Sequence, residues 1–183
     1  MEFIPKMHIG WLNGWLLLVV FYSFFGLYLL SCSRLIVKKL YSVAGWSKRE
    51  YAFSAFGKPF SLACIGLVIF SPLKFGTLVF WIGLIVYLAG TAVMFTALFE
   101  YRAVPVDEAV QNGIYRCSRN PQWVGLVLIF LGTIITTENG LALCIFCFSV
   151  VLYHFRVLGE ERACLEAYGK PYQEYLDSVR RYF

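Results

Sequence analysis

Two short stretches of this 183-residue chain gather the side chains that can do chemistry. The first runs from Asn112 to Gly125. Asn112-Gly113 favours a turn. Pro121 suits the first position of a helix, with Asn120 as its N-cap. The N–H groups left unpaired at such a helix start can hold a carboxylate or another polar ligand. Arg116, Arg119 and Trp123 also fit a plainer role, a basic and aromatic flank at a membrane edge. The second stretch runs from His154 to Arg162. Arg156 and Glu160 stand i,i+4 on one helical face. Adjacent Glu160 and Glu161 cannot share a face, which sets one inward and the other outward. Its plainer role is a solvated helix extension with salt bridges. Ionisable groups at a membrane edge are costly, and therefore functional candidates by default.

Other chemistries find few residues. The six cysteines sit at 32, 64, 117, 144, 147 and 164, four of them in apolar runs, so disulfides are not expected. Cys144 and Cys147 have redox or metal spacing, but their surroundings are apolar and favour packing. With His8 and His154 as the only histidines, no zinc site of ordinary type can be assembled. No glycine-rich dinucleotide or P-loop pattern is present.

The elements that must position these residues are membrane helices. The chain is 60% hydrophobic and 15% charged, whereas a soluble domain is about a quarter charged. Five segments lack Asp, Glu, Lys and Arg: 7–33, 59–73, 75–99, 120–137 and 139–155. About 20 helical residues cross a bilayer core. The fold class expected is therefore all-α and polytopic, with about five transmembrane helices. Continuous apolar runs without a period of two exclude a barrel. Residues 1–99 would supply the first three helices. Residues 100–183 would form a catalytic half, with a helical hairpin at 120–158 and C-terminal helices at the cytoplasmic face.

Charge orients this arrangement. Segment 34–58 holds Arg34, Lys38, Lys39, Lys48, Arg49 and Lys58 against Glu50 alone, which accounts for the whole net charge of +5. The positive-inside rule puts that loop in the cytoplasm. The N-terminus is then outside, the C-terminus inside, and every larger polar segment cytoplasmic. No basic face remains for nucleic acid. The first helix is expected to be retained, because Leu30 is too large for a lipoprotein cleavage box before Cys32 and basic residues follow at once.

The two stretches together resemble a known family. Gly113-Ile114-Tyr115 comes first, followed by Arg119-Asn120-Pro121-Gln122-Trp123-Val124-Gly125. After a helical hairpin come Arg156 and Glu160-Glu161, Tyr168-Gly169 with Tyr172 and Tyr175, and Val179-Arg180-Arg181. This ordered set, over about residues 100–183, is similar to the isoprenylcysteine carboxyl methyltransferase and phospholipid methyltransferase family of integral membrane enzymes. Asn120 stands where a His is usual, as it often does in the phospholipid N-methyltransferases. Membrane sterol and steroid reductases carry a related Arg-His-Pro motif, but with an acid where Leu126 stands. A non-catalytic membrane subunit is the alternative of another class.

The resemblance implies binding of S-adenosylmethionine without a Rossmann fold, in a cytoplasmic pocket of the C-terminal half. A lipophilic acceptor, an isoprenylcysteine carboxylate or a lipid head group, would enter from the bilayer. Tyr115, Asn120, Pro121, Gln122 and Trp123 would line the cofactor site, with Val110 from a strand-like segment. Glu160 would also hold the cofactor, Arg156 would face the acceptor, and Glu100 aligns with a polar amide. Methyl transfer from a sulfonium is an in-line displacement that needs positioning rather than a metal or a covalent nucleophile. Tyr115 and Trp123 suit stacking on adenine or facing the sulfonium. Arg156 suits a two-point contact with a carboxylate or phosphate.

Overall fold

The computed structural model describes residues 2–43 and 45–183. Among these, seven α-helices form and no strand does, apart from two isolated bridges. The helices are α1 (Trp15–Ser31), α2 (Arg34–Leu40), α3 (Lys48–Phe70), α4 (Leu78–Ala103), α5 (Pro121–Thr137), α6 (Gly140–Tyr168) and α7 (Lys170–Ser178), with a 3₁₀ turn at Gly113–Arg116 before α5. Three helices, α3, α4 and α6, are long and apolar enough to cross a membrane, at 23, 26 and 29 residues. α1 and α5 are apolar but have 17 residues each, about 25 Å of helix against a core of roughly 30 Å.

The helix limits depart from the charge-free runs for local reasons. The first run begins at residue 7, yet α1 starts only at Trp15. The Asn13 amide is buried and donates to the carbonyls of His8 (2.6 Å) and Ile69 (3.3 Å), which holds residues 8–14 as an irregular cap over the end of α3. α3 starts eleven residues before its charge-free run, and segment 34–58 is therefore not a loop. Ser47 and Glu50 make a reciprocal capping box there, satisfying two N–H groups of the helix start. Pro59 lies inside α3. α6 carries straight on past the apolar run to Tyr168, where Gly169 at φ 63° ends it. The boundary between residues 99 and 100 falls inside α4.

Two antiparallel helix pairs organise the bundle. α4 and α5 approach backbone to backbone at Gly83, Gly90, Gly125 and Gly132. A Cβ at Gly125 would stand 2.8 Å from the Met94 nitrogen, and one at Gly90 2.7 Å from the Ile129 nitrogen. Small residues in such a seam let membrane helices gain van der Waals contact that lipid cannot replace. α3 and α6 pair through larger side chains, with Phe53 on Phe155 at 4.5 Å and Phe60 on Phe148 at 4.8 Å between ring centres. α1 leans on α4 through the Tyr28 hydroxyl to Leu98 O (2.6 Å) and the Tyr87 hydroxyl to Leu17 O (2.9 Å).

The polar groups separate to the two ends. At one end Asn139 donates to Ser71 (2.8 Å) and Lys74 pairs with Glu2 (3.6 Å). At the other, Lys39 bonds the carbonyls of Pro105 and Glu108, and Arg162 bonds Gly45 O and Glu50. That second end unites α2, the start of α3, the 100–119 connection and the end of α6, the segments the charge pattern put on one side.

The α4–α5 seam yields a test. Replacing Gly132 with Val forces a branched side chain against the Tyr87 backbone, and overpacking of this kind costs about 1–3 kcal/mol. Thermal unfolding in detergent is expected to show the loss, while Gly26→Ala, inside α1 where a Cβ meets nothing within 4 Å, is expected to hold or slightly raise the midpoint.

Candidate active site

The two sequence stretches meet at the polar end of the bundle. α5 begins at Pro121 with Asn120 in the N-cap position, but the Asn120 side chain makes no capping bond. Its Nδ2 donates instead to Glu161 Oε1 (2.8 Å) and to Arg181 O (3.3 Å). The first intrahelical bond at the start of α5 runs from Val124 N to Asn120 O (3.1 Å). The N–H groups of Gln122 and Trp123 precede it, in the first turn where an α-helix offers no intrahelical acceptor.

Glu161 is the most heavily bonded acid of the site. Its side chain is 7% exposed. Arg119 Nε donates to Oε1 (3.2 Å) and Nη2 to Oε2 (3.4 Å), and Arg181 Nε donates to Oε2 (2.9 Å). Arg119 also holds the carbonyl of Leu176, and its backbone N–H donates to Arg180 O (2.9 Å). The segment after α7 is thereby folded back across the start of α5. Tyr175 completes the closure by donating from its hydroxyl to Tyr115 O (2.7 Å).

Two clefts adjoin this network. One, of about 580 Å³, is bordered by polar and aromatic groups: Tyr101, Val110, Tyr115, residues 119–123, both Glu160 and Glu161, Cys164, Tyr168, Tyr172 and Tyr175, with α2 along one wall. The other, of about 420 Å³, runs down between α1, α3, α5 and α6 past Phe21, Leu126, Phe130, Phe146 and Tyr153. Leu40, Gln122, Trp123 and Glu160 border both. Arg156 borders only the apolar one. Gln122 is held by its amide, which donates to the Tyr115 hydroxyl (2.8 Å), and Trp123 lies on Tyr153 at 5.4 Å between ring centres.

The structure thus places Val110, Tyr115, Asn120, Pro121, Gln122, Trp123 and Glu160 along the polar cleft. Val110 lies in an irregular segment rather than a strand, buried with Ala97 and Tyr115. Glu100 is elsewhere. Its carboxylate accepts the Ile114 N–H (2.7 Å) and packs against Gly113, which turns at φ 57°. Glu100 therefore builds the turn that presents Tyr115, and does not border the cleft. The paired glutamates do divide, with Glu161 inward and buried and Glu160 outward, 40% exposed and paired with Arg156 at 2.8 Å, although both border the polar cleft. Glu161, Arg119 and the wall tyrosines were not among the expected site residues. A signal existed for Glu161, which continues the i,i+4,i+7 row from Val157 to Cys164 on α6.

Burial raises the pKa of the Tyr115, Tyr172 and Tyr175 hydroxyls above the ordinary phenol value, so these remain neutral donors at physiological pH. Burial draws the Lys39 ammonium the other way, below its usual value, with Cys164, Asp107 and Glu108 opposing it.

The two glutamates are expected to behave differently on neutralisation. Glu161→Gln leaves two guanidinium groups around a weaker acceptor, and breaking a buried pair of this kind costs about 3–5 kcal/mol. Glu160→Gln removes a half-exposed pair worth below about 1 kcal/mol. Denaturation of the two variants in the same detergent checks the contrast.

A family model described as phospholipid methyltransferase matches residues 72–171. The match takes in Glu100, Val110, Tyr115, residues 120–123, Arg156 and both glutamates. No curated protein and no solved structure matches the chain. The match agrees with the methyltransferase motifs rather than with a reductase. It covers more than half of the chain, and with the apolar helices and the clefts that meet at Trp123 it places this protein in the phospholipid methyltransferase family of integral membrane methyltransferases.

Proposed function

We propose that this protein transfers a methyl group from S-adenosylmethionine to a lipophilic acceptor that carries an anionic group, at the cytoplasmic edge of a membrane. The observation that carries this reading is the junction of a polar cleft and an apolar cleft at Gln122, Trp123 and Glu160. A methyltransferase with a water-soluble donor and a membrane-dissolved acceptor needs two compartments of this kind with a shared wall.

The residues present fit the cofactor. The polar cleft lies in the size range of small-molecule sites, roughly 300–1,000 Å³. Glu160 offers a carboxylate for hydroxyl or ammonium groups. The free N–H groups of Gln122 and Trp123, at the positive end of α5, suit a carboxylate. Tyr101, Tyr168 and Tyr172 offer ring faces. S-adenosylmethionine supplies an electrophilic methyl on a sulfonium, and the chain has only to orient partners and exclude water. Orientation of this sort lowers barriers by roughly 7–11 kcal/mol. α2 and the wall tyrosines cover the polar side, and Trp123 stands between the compartments.

Arg156 serves the acceptor side. With Nε on Glu160, its Nη groups are the forked donors that match a phosphate or carboxylate. The Arg156–Glu160 pair is half exposed and worth below about 1 kcal/mol, so ligands can compete for both partners at small cost. An anionic group held there would set the reacting atom of an acceptor whose chain lies along Tyr153, Leu126 and Phe130.

The far end of the bundle is electrically balanced, with Lys6 and Lys74 against Glu2 and Glu138, so the excess of +5 lies on the end that holds the clefts apart from Lys58, which stands midway along α3. That asymmetry supports cytoplasmic placement of the site. Single cysteines near residues 48 and 174, in a background without the native thiols, are expected to label only from the cytoplasmic side, and one near residue 75 only from the outside. Labelling of 48 and 174 from opposite sides would contradict this placement.

The reaction itself is tested by calorimetry with S-adenosylhomocysteine, and by methyl transfer to phosphatidylethanolamine and to a farnesylated cysteine. Glu160→Gln is expected to weaken S-adenosylhomocysteine roughly ten- to hundredfold, as for a lost charge-assisted hydrogen bond. Arg156→Ala is expected to spare that affinity and cut turnover about a hundredfold. Loss of both properties together in Arg156→Ala would reduce it to a structural partner of Glu160.

A further inference from the structure

Arg156 has a second neighbour that lies outside every motif in the sequence. Its guanidinium carbon stands 5.2 Å from the centre of the Trp46 ring. Trp46 borders the polar cleft and Arg156 the apolar one, so their contact bridges the two compartments. One hydrogen bond, from Nε to Glu160 Oε1, fixes the guanidinium at one atom but leaves its plane free to swing. An aromatic face laid against the cation removes that freedom and leaves the two Nη groups as a fixed fork.

Trp46 is itself held. Arg162 Nη2 donates to the neighbouring Gly45 carbonyl (3.1 Å) and pairs with Glu50 (2.6 Å). Glu50 Oε2 accepts from Ser47 N (2.7 Å), on the other side of Trp46. Gly45 turns at φ 80°, where a Cβ would stand 3.0 Å from Ala163 on α6. The residues before and after the tryptophan are therefore both tied to α6 or to the start of α3, and the half-buried ring lies between Arg156 and the edge of Tyr51, 6.5 Å away between ring centres.

We infer that Trp46 is a positioning residue for methyl transfer: its ring fixes the plane of the Arg156 guanidinium, and so the orientation in which an anionic lipid acceptor is held. The inference rests on the proposed function and deepens its acceptor side.

The test compares Trp46→Phe with Trp46→Leu in the full chain, using whichever of phosphatidylethanolamine or farnesylated cysteine the wild type methylates. Phe keeps an aromatic face, whereas Leu keeps apolar bulk alone. Trp46→Leu is expected to lower kcat/KM for the acceptor by roughly three- to thirtyfold, the range of a cation–π contact. Trp46→Phe is expected to recover most of it, and both are expected to bind S-adenosylhomocysteine within about twofold of wild type by calorimetry. Binding at wild-type strength also shows that the variants are folded. Equal kcat/KM in the two variants would overturn the inference. A fall in S-adenosylhomocysteine affinity that matches the fall in kcat/KM would also overturn it, by making Trp46 a wall of the donor cleft. A wild type that neither binds S-adenosylhomocysteine nor transfers methyl would instead overturn the proposed function.

Discussion

The Glu161 carboxylate is the constraint around which the polar end of this bundle is arranged. A buried carboxylate is tolerable only when its charge is met and its lone pairs are filled. Here Arg119, Asn120 and Arg181 fill them. Those partners come from the start of α5 and from the segment after α7, so one acid on α6 fixes three pieces of chain to each other. Asn120 is drawn away from the side-chain capping its position suggests, which leaves the start of α5 without a side-chain cap. A polar opening at the end of a membrane bundle thus follows from satisfying one buried charge.

Below that network the bundle is divided between two kinds of packing. The α4–α5 pair gains its contact from glycines, with backbones nearly touching. The α3–α6 pair is held by aromatic side chains, and α1 rests on α4 through single hydroxyl bonds. The apolar cleft opens between these units, where neither has filled the space. Its upper rim is Gln122 and Trp123, residues that the Glu161 network holds in place through the start of α5. The two clefts therefore share a wall at the start of α5, the piece of chain that Glu161 ties down through Arg119 and Asn120.

Much of this was legible in the sequence. Five charge-free runs correspond to five apolar helices, and the motifs from Tyr115 to Glu161 come together at one end of the bundle, where Tyr115, residues 119–123, Glu160 and Glu161 border one cleft. What escaped has physical reasons. Composition alone does not show that Asn13 would be buried and delay α1, or that Ser47 and Glu50 would start α3 inside a basic stretch. Glu100 carries a charge at a position suited to a ligand, but its partner is a backbone N–H fourteen residues away across a glycine turn. The tie between Arg119 and Glu161 spans 42 residues, a distance at which no local pattern reports. Trp46 and the wall tyrosines reach the site through tertiary folding only.

The central claim is that the polar cleft is where the methyl donor is held. Hydrogen–deuterium exchange on the purified protein, with and without S-adenosylhomocysteine, tests it most directly. Protection is expected in residues 109–123 and 160–175 and in α2, with no change at the α3–α4 turn. Protection confined to other segments, or no protection at saturating ligand, would contradict the account.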